Sequence, residues 1–433
     1  SSLADAEQFE KVKDIVIKNK AIKYVVPSAP GKRNSNDYKI TDLLYLCHEH
    51  VKQGISFNDV FKIIESRFIE IVNNLSSSCE GMKDLNIEKH LKNIKENIAK
   101  GASRDYVASR GEYLNGIILS KYLGFQFVDA AEIVFFDKKG RYDRLTTKKA
   151  IVQKLKKMKN CVIPGFYGSM PDGSIKTFSR GGSDITGSII SSGVNAKLYQ
   201  NWTDVSGFLM ADPRIVKNPK LISKVTYREL RELSYMGATV LHEEAIFPVR
   251  EASIPINIKN TNRPQDEGTL IIDDLKSTDQ EGTITGIAGK KDFTVIAIEK
   301  TLLNSEIGFC RKLLGIIESY GISFEHMPSG IDTVSVVIAD SELDGKLDGM
   351  LNDSQQQVHP ESLEVYPNMA LIATVGMGMA KAKGVAAKIF MSLAKEGVNI
   401  RMIDQGSSEI NIIVGVENTD FEKAVRAIYE AFV

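Results

Sequence analysis

The sequence predicts an α/β domain with a mainly parallel sheet, followed by a duplicated α+β unit. Over residues 3–280, amphipathic helices alternate with short apolar runs, which is the pattern of a parallel sheet covered by helices. The last part of the chain repeats itself at an offset of 76 residues. A chain of 433 residues is also too long for one ordinary hydrophobic core, so two or three domains are expected.

Composition and charge exclude several classes of protein. Lys plus Arg and Asp plus Glu both count 55, and this net charge of zero gives no indication of nucleic acid binding. No apolar run approaches the roughly 18 residues of a membrane-spanning helix, and no secretory leader is visible, so we expect a cytoplasmic protein without membrane contact. The 4 cysteines are far apart and form no CxxC pair, so neither disulfides nor a metal site is predicted.

The elements of the first domain follow from apolar spacing. Apolar residues that step by three or four predict a first helix over residues 3–16. Residues 22–26 predict a buried strand, which Pro27 ends because proline has no N–H to donate. A largely helical stretch is expected over residues 41–123. Shorter strands are predicted at residues 125–128, 161–164, 174–178, 196–202 and 253–258.

The C-terminal part contains two copies of one pattern, strand, helix, strand, hairpin, strand, helix. Phe293 falls on Met369, and three further matches are Gly321 with Gly397, Gly330 with Gly406, and the alternating Val334, Val336 and Ile338 with Ile410, Ile412 and Val414. We therefore predict domains at 1–280, 281–355 and 356–433, the last two being split βαβ units. On spacing alone, a duplicated structural domain and an amino acid sensor are equally good interpretations.

Residues 178–186 carry the first chemical signal, because they follow a predicted strand and precede a predicted helix. Gly181 and Gly182 allow backbone amides to approach an anion, and a helix N-terminus adds its N–H groups and dipole. Arg180 can pair with a carboxylate, and Asp184 can neutralise an amine or orient a nucleophile. An ordinary Gly-Gly turn with an aspartate helix cap is the alternative.

A second signal lies in residues 201–214, which leave a predicted strand and form a long polar loop. Loops after parallel strands are where nucleotides bind in such folds. Taken alone, Asp212 and Pro213 form a turn and Arg214 is a solvated charge.

Five ordered motifs give the chain a specific resemblance. They lie at residues 25–31, 109–112, 179–184, 203–214 and 236–242, and they resemble the VVSAPG, SxGE, RGGSD, TD…DPR and GAKVLH motifs of the aspartate kinases, members of the amino acid kinase family. The two C-terminal copies look like ACT domains, which bind amino acids at paired sheet edges. The resemblance implies an amino acid kinase-type, mainly parallel sheet sandwiched by helices, followed by two ACT-type βαββαβ regulatory domains.

The resemblance also implies an activity, namely phosphoryl transfer from ATP, with Mg²⁺, to the side-chain carboxylate of L-aspartate, the first step of lysine, threonine and methionine biosynthesis. Aspartate is expected at Ser28, Glu112, Arg180, Ser183 and Asp184, and the catalytic groups are expected to be Gly181, Gly182 and Asp184. The nucleotide is expected at Ser2, Thr203, Asp204, Asp212, Arg214 and Thr239. Glu112 could instead form a surface ion pair with Arg110.

Regulation is implied by the two ACT-type copies. The expected effector is lysine or threonine, with lysine favoured by nearby acidic residues, and the expected site is Ser305, Glu306, Gly308, Phe309 and Asp332. Sheet-edge pairing between chains predicts a homodimer or a dimer of dimers.

Two departures from the family pattern leave alternatives open. The family begins with a strand that ends in K-F-G-G-[ST]-S, and Ser1-Ser2 matches only its end. We expect that strand and its lysine to lie ahead of Ser1, so that the chain as given turns over little. Thr239 stands where the family carries a nucleotide-contacting lysine. The alternatives are a non-catalytic, amino-acid-binding regulatory subunit and a kinase for a related acidic amino acid such as glutamate or N-acetylglutamate.

Overall fold

A computed structural model of the chain describes residues 3–179, 181–238, 243–273 and 282–433. The chain forms two compact units, of which the first contains Ser1–Phe208 and Val240–Asp274 and the second Leu209–Thr239 and Leu275–Val433. Residues 209–239 thus group with the C-terminal unit, whereas the sequence analysis assigned them to the first domain. The predicted boundaries at 280 and 355 stay predictions.

Helices cover much of both units. Their bounds are α1 Ala6–Lys18, α2 Ile40–Lys52, α3 Asn58–Ser76, α4 Ile87–Ala99, α5 Arg104–Leu123, α6 Arg144–Leu155, α7 Gly182–Gly193, α8 Tyr227–Tyr235, α9 Glu243–Glu251, α10 Phe309–Ser319, α11 Asp340–Leu343, α12 Leu347–Val358, α13 Val385–Lys395 and α14 Phe421–Phe432.

The strands are short in the N-terminal unit and longer in the C-terminal one. Their bounds are β1 Tyr24–Val25, β2 Gln126–Phe127, β3 Cys161–Val162, β4 Tyr167–Ser169, β5 Ile175–Thr177, β6 Tyr199–Thr203, β7 Lys224–Thr226, β8 Ile256–Asn260, β9 Thr269–Ile272, β10 Gly286–Glu299, β11 Thr333–Ala339, β12 Ser362–Val375, β13 Met402–Asp404 and β14 Asn411–Glu417.

The helices α1 to α5 of the N-terminal unit share one hydrophobic core. Phe9, Phe61 and Phe68 are fully buried in it, and full burial of one such side chain stabilises a fold by about 1.5–3 kcal/mol. The first helix has a side-chain N-cap, because the side chain of Asp5 accepts a hydrogen bond from the amide of Gln8 at the start of α1. The predicted first helix and the helical stretch over residues 41–123 are confirmed.

Parallel strands position the chemistry of this unit. Strand β3 lies between β1 and β2 and is parallel to both, with Cys161 opposite Tyr24 and Gln126. Strand β6 pairs in parallel with β8, which continues into an antiparallel pair with β9. Strands β4 and β5 form an antiparallel hairpin directly before the turn that contains Gly181 and Gly182, here called the glycine-rich turn. The mainly parallel pairing that the sequence predicts is thus present, but it is divided between two sheets, one of β1, β3 and β2 and one that contains β6, β8 and β9. The β4–β5 hairpin is a separate two-stranded sheet.

The C-terminal unit contains one antiparallel sheet in the order β11, β10, β12, β14, β13. Phe293 pairs directly with Met369, its equivalent in the second copy. The two copies are therefore related by an approximate two-fold axis that passes through this pair. Equivalent residues also share backbone conformation. The φ angles are 83° at Gly308 and 84° at Gly384, and both residues cap the helix of their copy.

Strands β10 and β12 each serve both copies. Residues 295–299 of β10 pair with residues 362–366 of β12, while Gly286 to Lys290 pair with residues 371–375. Residues 362–366, which the sequence assigns to the second copy, therefore complete the sheet of the first copy. Residues 286–290, assigned to the first copy, complete the sheet of the second. Sequence spacing could not show this exchange, because the repeat offset is the same whichever copy a strand completes.

Strand pairing corrects one detail of the repeat. Val295 pairs with Val337, whereas its equivalent Leu371 pairs with Gly415, so the offset between β11 and β14 is 78 residues instead of 76. Val334 thus matches Ile412 and not Ile410. An insertion of two residues keeps every side chain on the same face of a strand, so the alternation of apolar residues looks the same in either register.

Candidate functional site

Helix α5 carries a buried carboxylate among several other buried polar groups. Its N-terminus is capped by Ser103, whose side chain accepts a hydrogen bond from the amide of Tyr106. The helix is buried on all sides, and its buried polar residues are Ser109, Arg110, Glu112, Asn115 and Ser120. A helix that buries polar groups must satisfy them internally or hold them for a ligand.

Glu112 is only 5% exposed, which contradicts the alternative of a surface ion pair with Arg110. The backbone amide of Ala29 donates a hydrogen bond to its carboxylate, but its buried Oε2 atom has no hydrogen-bond partner within the described part of the chain. Burial raises the pKa of the Glu112 carboxyl to about 8, although the Ala29 amide and the nearby Arg110 charge oppose this shift. The group is therefore mostly protonated near neutral pH.

Arg110 points its guanidinium into aromatic rings. It lies 4.5 Å from the ring centres of Tyr106 and Tyr113 and donates hydrogen bonds to the Ser109 hydroxyl. Cation–π contacts of this kind stabilise a buried cation without a paired carboxylate. Arg110 thus has a packing role on this helix.

The loop with Ser28 lies against the same helix. The side-chain amide of Asn115 donates a 2.7 Å hydrogen bond to the carbonyl of Ser28, while the next amide, that of Ala29, bonds to Glu112. Both polar groups of one peptide unit are therefore held by α5. The motif comparison did not single out Asn115, and the signal that could have found it is its spacing of three residues from Glu112.

The glycine-rich turn has the conformation that its sequence predicts. Gly181 has φ 59°, in the left-handed region that glycine adopts without strain, and α7 begins at Gly182. A Cβ on Gly182 would come within 2.9 Å of the Cα of Phe166, so a side chain there would clash. Arg180 lies outside the described residues. Ser183 and Asp184 occupy the first turn of α7, where backbone N–H groups have no partner within the helix.

Phe166 is a second residue that sequence reasoning missed. Its φ of 79° is unusual for an aromatic residue, and such outliers cluster at functional sites. Its amide donates a hydrogen bond to the Thr186 hydroxyl, and its carbonyl accepts one from the amide of Phe178. Phe166 thereby joins the strand before the glycine-rich turn to the helix after it.

Asp184 is held from the neighbouring strand. The side-chain amide of Asn201 donates a 2.9 Å hydrogen bond to Oδ1 of Asp184. Two residues further along β6, the hydroxyl of Thr203 donates to Asp204 at 3.2 Å. The structure therefore brings Asp184 next to the strand that leads into the predicted nucleotide loop.

The other predicted nucleotide residues fall elsewhere. Asp212 and Arg214 belong to the C-terminal unit and pair with each other, with 2.6 Å between Arg214 Nη2 and Asp212 Oδ2. The hydrogen bonds from Arg214 lower the pKa of the Asp212 carboxyl. This geometry fits the simple turn described above, and a contact with nucleotide stays a prediction. Ser2 and Thr239 lie outside the described residues.

The predicted effector turn is occupied by internal contacts. Glu306 pairs with Lys300 at 2.6 Å and with Lys312 at 3.0 Å, and the Lys300 hydrogen bond lowers the pKa of its carboxyl. Asp332 accepts a hydrogen bond from the amide of Leu302, and Phe309 is only 1% exposed.

The remaining two effector residues are backbone features of the same turn. Ser305 ends a short 3-10 helix, and Gly308 caps α10. An incoming ammonium group would have to displace a lysine from Glu306.

Neither a metal centre nor a membrane segment emerges from the described ranges. Among residues 3–179, 181–238, 243–273 and 282–433, no group of three or more His, Cys, Asp or Glu could hold a metal ion. No helix in this part of the chain is long and apolar enough to cross a bilayer.

Comparison with known proteins identifies the family. Residues 1–260 match the amino acid kinase family and residues 372–432 match an ACT domain. Aspartokinase 3 of Bacillus subtilis (strain 168) is 38% identical over 444 residues, which cover 100% of this chain and 97% of that protein.

Two solved structures agree with this result. Clostridium acetobutylicum aspartate kinase is 65% identical with a TM-score of 0.94, covering 100% of this chain and 98% of the other. Aspartokinase III of E. coli in complex with aspartate and ADP is 25% identical with a TM-score of 0.71, covering 99% and 97%.

The chain belongs to the amino acid kinase family and carries C-terminal ACT regulatory domains. Within that family it groups with the aspartate kinases, which phosphorylate aspartate at the expense of ATP. The fold class and the activity that the motifs imply are confirmed. The roles of individual site residues and the identity of the effector stay predictions.

Proposed function

We propose that the N-terminal unit binds L-aspartate between the Ser28 loop, Glu112 and the first turn of α7, and that it transfers the γ-phosphoryl group of ATP to the substrate's side-chain carboxylate. The product is 4-phospho-L-aspartate. In this proposal Glu112 meets the ammonium group of the substrate, Arg180 and Ser183 hold its carboxylates, and Asp184 orients the reacting groups.

One observation carries the proposal: Oε2 of Glu112 is buried and has no hydrogen-bond partner among the residues that the structure describes. An unsatisfied buried oxygen costs about 1–3 kcal/mol, and an ammonium group would remove this cost with a charge-assisted hydrogen bond. It would also favour the ionised form of Glu112, because an opposite charge nearby lowers the pKa of a carboxyl group. The substrate's ammonium thus gives this oxygen the partner that the described residues do not supply.

Phosphoryl transfer to a carboxylate requires mainly that the two substrates are aligned and that the negative charge on the phosphoryl group is stabilised. A carboxylate nucleophile is already ionised at neutral pH, so no general base is required. The amides of Gly181, Gly182 and Ser183 at the start of α7 suit the negative oxygens of the moving phosphoryl group. Mg²⁺ would screen the phosphates and, in our proposal, arrives with ATP.

A hydroxamate assay of the chain, extended ahead of Ser1 by Lys-Phe-Gly-Gly, tests this function. We expect ATP-dependent hydroxamate formation with aspartate and at most a small rate with glutamate or N-acetylglutamate. Equal rates with glutamate would support the related-substrate alternative. A flat signal with every acid, together with calorimetric binding of lysine or threonine, would establish the non-catalytic regulatory subunit instead.

We further propose that the ACT units assemble two copies of the chain. Three large apolar side chains are exposed around the predicted effector turn, namely Leu302 at 65%, Ile307 at 98% and Ile331 at 69%. The amide of Asn304 bonds to the carbonyl of Ile331, which holds the two segments together. An apolar cluster of this kind, beside the sheet of an ACT unit, suits a self-complementary interface.

Replacing Ile307 by glutamate is expected to weaken self-association by at least tenfold, because a carboxylate would have to be desolvated in the interface. Sedimentation velocity over a range of concentrations measures the effect. The matched control is Leu145→Glu, which places the same charge on a residue that is 75% exposed in the N-terminal unit. Unchanged self-association of the Ile307 variant would contradict this interface.

The effector proposed is lysine, with threonine as the second candidate, and this choice rests on the family resemblance. The nearby acidic residues no longer favour lysine over threonine, because the negative charge of Glu306 is already paired with two lysines of the chain. A location in the cytoplasm stays a prediction from composition.

A further inference from the structure

Strand β6 and helix α7 are joined by side chains from one face of the strand. Tyr199, Asn201 and Thr203 alternate along β6 and therefore share a face. Asn201 donates its 2.9 Å hydrogen bond to the side chain of Asp184, and the hydroxyl of Tyr199 donates to the carbonyl of Asp184 at 3.3 Å. The strand thus contacts both the side chain and the backbone of one residue.

The contact is built by close packing. Asn201 is 9% exposed, and its amide also donates to the Tyr199 hydroxyl at 3.2 Å. Gly187 allows this arrangement, because a Cβ at that position would lie 2.7 Å from the Tyr199 hydroxyl oxygen. Burial raises the pKa of Tyr199, and the negative charge of Asp184 raises it further. The tyrosine therefore stays a neutral hydrogen-bond donor.

The chemistry of the donor is informative. A lysine or arginine in place of Asn201 would cancel the charge of the carboxylate, whereas an amide orients the carboxylate without adding a positive charge. A group that has to act on a substrate's charge gains from such a partner, because orientation and charge are both retained. The next residue on the same face of β6 is Thr203, which is predicted to contact nucleotide.

We infer that Asn201 is a positioning residue for phosphoryl transfer, because its side-chain amide fixes the orientation of Asp184, and this inference rests on the role proposed above for Asp184. The strand that leads to the nucleotide loop then also sets the geometry of the substrate site. Asn201 touches neither substrate in this account and acts through Asp184.

The first test compares Asn201→Leu with Asn201→Asp in the extended chain. The leucine variant loses the donor, and we expect kcat to fall about tenfold to a hundredfold at every pH, with KM for ATP little changed.

In the aspartate variant the new carboxyl group can keep a proton at low pH and donate it to Asp184. Two carboxylates in contact cannot both ionise easily, so its activity relative to wild type is expected to fall as pH rises from about 6 to about 9. A merely structural role would not produce this pH dependence.

The second test is a double-mutant cycle with Asp184→Asn. If Asn201 acts through Asp184, adding Asn201→Leu to the Asp184 variant changes kcat less than twofold. The inference would be overturned if the losses of kcat in the two single variants simply added in the double variant. It would also be overturned if the activity of Asn201→Asp relative to wild type did not change with pH. If Asp184→Asn alone has no effect, the proposed role of Asp184 fails instead, so the two failures are distinguishable.

The matched control is Asn257→Asp. Asn257 pairs with Gln200 and therefore lies on the opposite face of the same sheet, away from Asp184. This variant introduces the same charge into the neighbouring strand β8, and we expect the change with pH of its activity relative to wild type to be smaller than that of Asn201→Asp, because it lies away from Asp184. If the activity of Asn257→Asp relative to wild type fell with rising pH as much as that of Asn201→Asp, the effect would be a general one of charge in the sheet. This result would overturn the inference.

Discussion

Replacing Glu112 by glutamine is expected to raise KM for aspartate by about a hundredfold while KM for ATP changes little. The physical reason is the loss of a charge-assisted hydrogen bond to a buried carboxylate. Glutamine has the same shape, so the loss reports the charge and not a cavity. Initial rates of the extended chain, with each substrate varied in turn, measure the effect.

The pH dependence of the wild type should follow the same group. Because burial raises the pKa of Glu112 to about 8, binding of the ammonium group requires loss of a proton below that pH. KM for aspartate is therefore expected to fall about tenfold per pH unit as pH rises toward 8, and then to level off. The glutamine variant should lack this dependence.

A rise in pH affects substrate binding and protein stability in opposite directions, because it favours binding by Glu112 and removes the contribution of Glu112 to stability. A carboxyl group whose pKa is higher in the folded state contributes stability below its unfolded value of 4.5, and that contribution is lost as pH rises through about 8. Glu112→Gln should therefore be more stable than wild type at about pH 9, as thermal unfolding would show.

Glu229 provides a matched control for these effects. It is also fully buried, but Thr226 and Thr285 donate to its two carboxylate oxygens. Glu229→Gln should destabilise the C-terminal unit and leave the pH dependence of KM for aspartate in place. If Glu112→Gln and Glu229→Gln change KM equally, Glu112 does not contact the substrate.

Replacing Asp184 by asparagine is expected to lower kcat by about a hundredfold or more. Asparagine can still accept the hydrogen bond from Asn201 through its amide oxygen, so the geometry is retained while the negative charge is lost. An interaction that acts mainly in the transition state lowers kcat and kcat/KM together. Steady-state rates with both substrates saturating measure the change.

The control for this substitution is Asp172→Asn. Asp172 accepts hydrogen bonds from the amide and hydroxyl of Ser174 in the turn between β4 and β5, close in sequence to the glycine-rich turn. Loss of its charge should leave kcat within about twofold of wild type. An Asp184 variant that retains wild-type kcat would remove Asp184 from the reaction.

Sequence spacing predicted the fold well where periodicity and turn residues agree. The glycine pair at 181–182 predicted both the turn and the start of α7, because only glycine takes that conformation without strain beside Phe166. The repeat predicted that α10 and α13 are equivalent helices. It could not reveal the exchange of β10 and β12 between copies, since pairing depends on contacts far apart in sequence.

The site was harder to predict from the chain alone. Glu112 and Arg110 are two residues apart on a helix with polar residues all round, a pattern that equally describes a solvated helix. Only the packing of α5 shows that both are buried and that they differ. Arg110 is held by aromatic rings, whereas one oxygen of Glu112 has no hydrogen-bond partner in the described part of the chain. Asn115 lies outside every motif, and Asn201 lies just ahead of the motif that begins at Thr203, so the roles of both follow from hydrogen bonds.

Calorimetric titration of aspartate at pH 7, repeated in buffers of different ionisation enthalpy, tests most directly whether Glu112 receives the substrate's ammonium group. The free enzyme holds a proton on Glu112 at this pH, and the complex should not. We predict release of about one proton per aspartate bound by the wild type and about none by Glu112→Gln. Tight binding with no proton release in the wild type would contradict the account.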